Sequence, residues 1–209
     1  TIYGHALEAM SYFLLAEYDV ALTMIKKCRD QFEKVYESPH HLIAFCFYIE
    51  ARIQHSFGKY DVAFNCCDQA SHHYALIYND SHISSLDLKV LQGIILISQC
   101  KFLEAKTLVE TTNKIQRDML GNFNHRVGCS LSVLAQCFHG LGKFQLSDLL
   151  FCRSLEILQS TLCKDHIEIA TALILQARNS LDLANFDMTK KLCLAARDVC
   201  FRLFGEQED

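Results

Sequence analysis

Apolar residues recur along this chain at three- and four-residue steps, in segments of roughly 16–19 residues broken by small and polar residues, which predicts amphipathic helices. The clearest break is Ser56-Phe57-Gly58-Lys59-Tyr60-Asp61-Val62-Ala63, where one helix should end, the chain turn tightly and the next helix begin. The break repeats at a fixed interval. Tyr18, Tyr60, Phe102, Phe144 and Phe186 stand 42 residues apart, as do Ala21, Ala63, Ala105, Ser147 and Thr189, and Ala16, Gly58, Cys100, Gly142 and Ala184. A period of this length means stacked units, each burying its apolar face only against its neighbours. The units run 1–39, 40–81, 82–123, 124–165 and 166–207, the first truncated at its start. The prediction is an all-α chain of five helix-turn-helix repeats forming a single array over 1–209.

Each unit holds a helix A and a helix B. Helix A should begin near His40, His82, Asn124 and His166, and it carries a column of small residues: Ala9, Ala51, Gly93, Ala135 and Ala177. A column without a large side chain implies close helix–helix approach, because a branched residue there would push the axes apart. Helix B opens on the aromatic column, followed by Asp19, Asp61, Gln145 and Asp187, with Leu103 the exception. Carboxylates in a first turn suit the positive end of the helix dipole. A second mostly small column follows in helix B: Cys28, Ala70, Thr112, Ser154 and Ala196. Helix B should end on Tyr36, Tyr78, Leu120, Leu162 and Phe204. Asn79, Gly121 and Gly205, which follow three of these, favour a left-handed C-cap there.

Composition narrows the function classes. Hydrophobic residues make up 51% of the 209, and Pro39 is the sole proline, which suits long helices. A formal charge of −4 with interspersed Lys and Arg lacks the basic stripe that nucleic acid would need. Apolar runs such as Ile94-Ile95-Leu96-Ile97 are too short to span a bilayer, and nothing reads as a signal peptide. The chain begins at Thr1 without an initiator Met, so it is expected to be a fragment of something longer. The eleven cysteines stand mostly where other repeats carry Leu, Val, Ala or Ile. They read as small buried hydrophobes in a reducing compartment, cytoplasmic with the nucleus as the alternative.

The columns together resemble tetratricopeptide-repeat (TPR) proteins of the long, 42-residue variety found in kinesin light chains and nephrocystin-3. That pattern places a small residue in helix A before Gly-x-aromatic-x-x-Ala at the turn, then a second small residue in helix B. Ala51, Gly58, Tyr60, Ala63 and Ala70 match it, and Ala135, Gly142, Phe144, Ser147 and Ser154 nearly so. Leu120-Gly121, Phe204-Gly205 and the His40, His82, His166 column resemble the family's Leu-Gly and His-Pro ends, although no proline follows the histidines. The resemblance covers the whole chain. It implies an α-α superhelix, a TPR-like solenoid, whose A helices line a concave face that binds a peptide or a partner's helix. The asparagines that line the groove of kinesin light chains are replaced here by Leu7, Ile49, Leu91, Val133 and Leu175. The Lys/Asn clamp of chaperone-binding repeats is absent as well.

If helix A lines a groove, the inner columns supply the candidate partner-binding residues: Phe45, Tyr48, Arg52, His55, Ile94, Cys129, Ser132, Gln136, His139, Thr171 and Arg178. This surface is apolar with a few polar anchors, and it suits an amphipathic helix or apolar segment better than a charged tail. Arg and Tyr are residue types that interfaces favour. The expected function is a protein–protein interaction scaffold or adaptor, with no cofactor. One alternative is an internal structural segment of a larger complex, with its groove filled by the same chain. Another is a metal or redox sensor built on Cys66-Cys67 and His72-His73. The columns put the two cysteines in the core and His72 on a solvated face, so the four should not converge on one zinc. No nucleophile–base motif, phosphate loop or metalloprotease motif is found, so no enzyme is expected.

Overall fold

The computed structural model describes residues 2–36 and 39–205. Among them are ten α-helices and no strand: α1 (Ile2–Leu14), α2 (Tyr18–Val35), α3 (His41–Ser56), α4 (Tyr60–Ile77), α5 (Ile83–Ser98), α6 (Phe102–Leu120), α7 (His125–Gly140), α8 (Phe144–Thr161), α9 (Ile167–Asp182) and α10 (Phe186–Phe204). Odd-numbered helices are the A helices and even-numbered ones the B helices. The B helices start at 42-residue steps throughout, and the A helices do so from α3 onward. The chain divides into two compact units: Thr1–Gln99, with the hairpins α1–α2 and α3–α4 followed by α5, and Cys100–Asp209, with α6 followed by the hairpins α7–α8 and α9–α10.

The A-to-B turn rests on one backbone conformation. Ala16, Gly58, Cys100, Gly142 and Ala184 all have positive φ, between 56° and 73°. At Gly58 the following amide, Lys59 N–H, donates back to Gln54 O at 2.9 Å, and Gly58 N–H donates to His55 O at 2.9 Å. This pair of bonds satisfies the last carbonyls of helix A. The same two bonds recur around Ala16, Gly142 and Ala184. An L-residue with a Cβ is strained in the left-handed region, by roughly 1–2 kcal/mol. Two turns are therefore relaxed and three carry strain.

Helix A opens on a side-chain cap. Nδ1 of His40, His82 and His166 accepts from the backbone N–H two residues on, each at 3.2 Å, and Asn124 Oδ1 accepts from Arg126 N–H at 3.0 Å. In the first unit the cap is also packed. Tyr36 stacks on His40 with ring centroids 4.0 Å apart, and Tyr78 stacks on His82 at 3.7 Å. The expected left-handed stop at the end of helix B is corrected. Asn79 does not have positive φ, and Gly121 and Gly205 combine positive φ (80° and 74°) with extended ψ (166° and 177°). That is a region only glycine enters readily. Glu37, in the same column, lies outside the described residues. Where the glycine is present helix B has 19 residues; where it is not, 18.

Within each unit the small columns bring the two helices of a hairpin together as expected, in α1–α2, α3–α4, α7–α8 and α9–α10. Ala51, Ala63 and Ala135 are fully buried. In the fourth repeat the approach is close enough for Ser147 Oγ to donate to Ala135 O at 2.9 Å and Ser154 Oγ to Gly128 O at 2.7 Å. A Cβ on Gly128 would lie 3.0 Å from the Leu158 side chain. In the first unit the core joins Ile25, Phe32, Ile43 and Ile49, and beside them Cys67, Ala70, Leu88 and Ile95. In the second it joins Leu158, Ile169, Leu173, Ala196 and Val199, with Val127, Leu131 and Ile157 as a smaller cluster.

Successive hairpins are also tied by a polar column on helix A. Buried Glu50 pairs with Arg29 and with Lys26 (3.5 Å) on the preceding B helix. Gln92 donates to Asp68 at 3.4 Å, and Gln176 donates to Asp148 at 3.1 Å. Buried polar atoms without a hydrogen-bond partner among the described residues include Gln54 Oε1, His73 Nδ1 and Asn179 Oδ1, and Gln116 is left with two. Gln116 on α6 is 1% exposed, and neither of its amide atoms has a hydrogen-bond partner among the described residues.

Three stability predictions follow from these local features. Glycine relieves the left-handed strain but costs backbone entropy, so Ala16→Gly with Ala184→Gly should raise unfolding free energy by about 1 kcal/mol in urea titrations. Gln116→Leu, which installs the residue that Leu158 provides one repeat later, should stabilise by about 1–2 kcal/mol. The third concerns pH. Burial and the neighbouring His41 hold the His40 imidazole below its ordinary value, and burial does the same for His55 and His73, with His72 adding to the effect at His73 and Glu33 opposing it. A depressed folded value means the unfolded chain binds more protons, so this stability is full above the ordinary value near ~6.5 and lost as pH falls through the folded value. His40→Asn keeps a capping acceptor without a titrating ring. Thermal melts from pH 7.5 to 5 should therefore show a shallower loss for His40→Asn than for wild type.

Candidate functional site

The periodicity that builds the core leaves one stripe of α3 and of α5 half-buried. In the first unit this stripe brings together Phe45, Tyr48, Arg52 and His55 on α3, with Ile94 on α5. They stand at i, i+3, i+7 and i+10 along α3, one face of a helix. Phe13 of α1 joins them, with its ring centroid 4.7 Å from the Arg52 guanidinium carbon, while the Tyr48 ring centroid lies 5.9 Å from it. Arg52 is thus held by aromatic faces and has no carboxylate partner among the described residues. Cation–π contacts of this kind contribute about 0.5–2 kcal/mol and fix the planar fork in place.

His55 has a different task. Its Nε2 lies 2.8 Å from Ser98 Oγ on α5, and its ring packs 5.5 Å from Tyr60 of the turn. Burial lowers its pKa, so it is neutral at pH 7 and serves as a hydrogen-bonding tie between successive A helices.

The second unit holds Cys129, Ser132, Gln136 and His139 on α7, and Thr171 and Arg178 on α9. His139 repeats the tie: its Nε2 lies 2.6 Å from Asp182 Oδ2 on α9, and its ring packs 5.3 Å from Phe144. Ser132 is only 7% exposed. Cys129 Sγ reaches Glu168 Oε2 at 3.7 Å, and Thr171 Oγ1 donates to Ile167 O within its own helix. Gln136 is half-buried, and Arg178 is exposed without a carboxylate partner among the described residues. Ile174 and Leu181 on the same face of α9 are 54% and 50% exposed.

Sequence reasoning grouped these residues on one stripe and missed what holds several of them. Ser98 and Asp182 stand 43 residues after their histidines, one repeat plus one position. That offset is the signal that could have found them. Tyr3, which begins one inner column, lies outside the residues whose side chains are described. Cys66 and Cys67 are in the core of the first unit, where burial pushes the Cys66 thiol up to about 11 and that of Cys67 higher still. His73 is buried against Phe47, and His72 is exposed. None of the eleven cysteines is in a disulfide, and no helix among the described residues is long and apolar enough to cross a membrane.

No protein-family profile matches the sequence, and no curated protein is similar to it. Solved structures do match. A kinesin-light-chain-type protein of Podosopora anserina with nearly identical TPR-like repeats is 18% identical, covering 98% of this chain and 97% of that one, at a TM-score of 0.68. A Rap protein complexed with Competence and Sporulation Factor is 12% identical, covering 95% of this chain and 54% of its own, at a TM-score of 0.82. NprR in complex with its cognate peptide NprX is 13% identical, covering 98% of this chain and 60% of its own, at a TM-score of 0.77. At these identities the likeness establishes the fold: an all-α array of TPR-like helical hairpins.

Proposed function

We propose that this chain is a non-enzymatic protein-interaction scaffold, and that the A-helix face around Arg52 binds a helix or extended segment of a partner protein. The observation that carries the reading is the Arg52 guanidinium, oriented by Phe13 and Tyr48 and lacking a carboxylate of its own. An arginine already held against aromatic rings loses little freedom on binding, and Arg and Tyr are enriched among the residues that dominate interface energetics. The fitting partner is an amphipathic segment that sets apolar side chains on Phe45, Tyr48 and Ile94 and a carboxylate on Arg52. The Rap and NprR structures, each holding a factor or peptide on the same fold, support this class of function. Eleven free thiols suit an adaptor in a reducing compartment such as the cytoplasm. The high thiol pKa values at Cys66 and Cys67 lend no support to a cysteine-based sensor.

A second reading, an internal segment of a larger assembly, is favoured by the exposed α9 stripe of Ile167, Ile174 and Leu181. Apolar side chains one helical face apart suit a covering element rather than water.

The two readings separate by experiment. A displayed library of amphipathic-helix peptides, selected on the 209-residue chain, should yield binders enriched in Asp or Glu beside Leu, Ile or Phe. Tyr48→Ser with Arg52→Gln installs the residues that Ser132 and Gln136 provide two repeats later, so helicity by circular dichroism should hold. Binding of the selected peptides should weaken by about 30-fold or more, the loss of one hot-spot pair. Binders indifferent to the double substitution would overturn the site.

A further inference from the structure

Helix α1 and the α9–α10 hairpin each expose a column that other repeats bury. Ile49, Leu91 and Val133 are 0%, 7% and 5% exposed, while Leu7, in the same column of α1, is 45% exposed. Ile49 shares a core with Ile25 and Phe32 of the preceding hairpin, and Leu91 shares one with Cys67 and Ala70. Leu7 therefore marks the face of α1 that corresponds to a contact with a preceding hairpin. On α10 the same holds in reverse. Ile25, Cys67, Val109 and Phe151 are buried, and Cys193, 42 residues after Phe151, is exposed. Ile174 and Leu181 of α9 extend the exposed face there.

The two faces match each other in the register of the repeat. Arg29 on α2 pairs with Glu50 on α3, and Asp30 stands beside it. Four repeats on, those two B-helix positions are Arg197 and Asp198, and the position of Glu50 on α1 is Glu8. Arg197 meets its neighbour Asp198 at 2.9 Å, and Glu8 meets His5 at 3.4 Å, all four exposed. The tie between successive A helices gives a second match. His55 meets Ser98 and His139 meets Asp182, polar on polar. In the same two columns α9 holds Leu181 and α1 holds Leu14, 50% and 67% exposed, which would meet apolar on apolar. Pairing of like faces is opposed by charge: two α9–α10 faces would set Arg178 and Arg197 against their own copies, and two α1 faces would set Glu8 against Glu8. We infer that copies of this chain associate head to tail, the α1 face of one docking on the α9–α10 face of the next. Leu7 covers Cys193, Glu8 pairs with Arg197, and Leu14 packs on Leu181. This inference rests on the second reading above, in which the α9 stripe is a covered surface, and names what covers it. Such a contact is heterologous and leaves a free face at each end, so association runs on past the dimer.

Sedimentation velocity of the 209-residue chain from about 1 to 300 μM tests this, and the average sedimentation coefficient should rise past that of a dimer. Leu14→Lys blocks the α1 face and Leu181→Lys the α9–α10 face. Both positions are exposed and lie at helix C-termini, where a cation suits the dipole, so circular dichroism should hold. Each variant alone should stay monomeric, and an equal mixture of the two should stop at a dimer holding one of each. Glu8→Arg or Arg197→Glu alone should weaken association at least about tenfold, and mixing those two proteins should restore it. A monomer throughout the range overturns the inference. So does self-association of either leucine variant, or association that the charge reversals leave unchanged. If the chain stays monomeric, a peptide of residues 40–56, the A helix that bears Ile49 and Glu50, decides the second reading. Saturable methyl shifts at Ile174 and Leu181 up to about 1 mM peptide would keep the stripe a covered surface with a different occupant, and their absence would remove both.

Discussion

Everything in this chain depends on a helix turning back within three residues so that its partner can lie close against it. The left-handed residue between helices A and B makes that possible by satisfying the last carbonyls of A with the amides that lead into B. Once the chain has reversed, the small columns set the separation, and the aromatic column closes the corner. Three of the five turns use a residue with a Cβ. The fold tolerates that strain because burial of the paired helices outweighs about 1–2 kcal/mol at each turn.

Three kinds of contact then join one hairpin to the next, each on its own face. The apolar core lies between them. On the B-helix side, Glu50, Gln92 and Gln176 reach the preceding hairpin; on the A-helix side, His55 and His139 reach the following one. Polar ties of this kind contribute little net stability, but a buried Glu50 left without Arg29 would cost several times more than the pair contributes. They favour one register over its neighbours. The proposed partner surface is the part of the A-helix stripe around Arg52, whose guanidinium takes no part in these ties.

The helix boundaries were legible because the period repeats five times, and a turn seen once weakly becomes firm when seen in register. The capping role of His40, His82 and His166 was visible only as a tendency to shape the turn, since nothing in a column shows which ring nitrogen meets which amide. The ends of helix B were misjudged. Asn79 follows its helix as Gly121 does, yet without positive φ, because Tyr78 leaves the helix extended and stacks on His82. At the candidate site the stripe itself was readable from periodicity, and the occupancy of His55 and His139 was not. Their partners sit on another helix, and only packing brings them within 3 Å.

The Tyr36–His40 and Tyr78–His82 stacks have a bearing on how this molecule can be watched. The chain has no tryptophan, and its eight tyrosines, Tyr3 through Tyr78, all precede the second unit. Tyrosine emission therefore comes from the first unit alone. Two of its emitters lie flat against the capping imidazoles of His40 and His82, with ring centroids 4.0 and 3.7 Å apart, so their light carries information about the caps of α3 and α5. The second unit contributes to far-ultraviolet dichroism but stays dark in tyrosine fluorescence. Comparing the two signals during unfolding would resolve the halves of the chain without attaching a label.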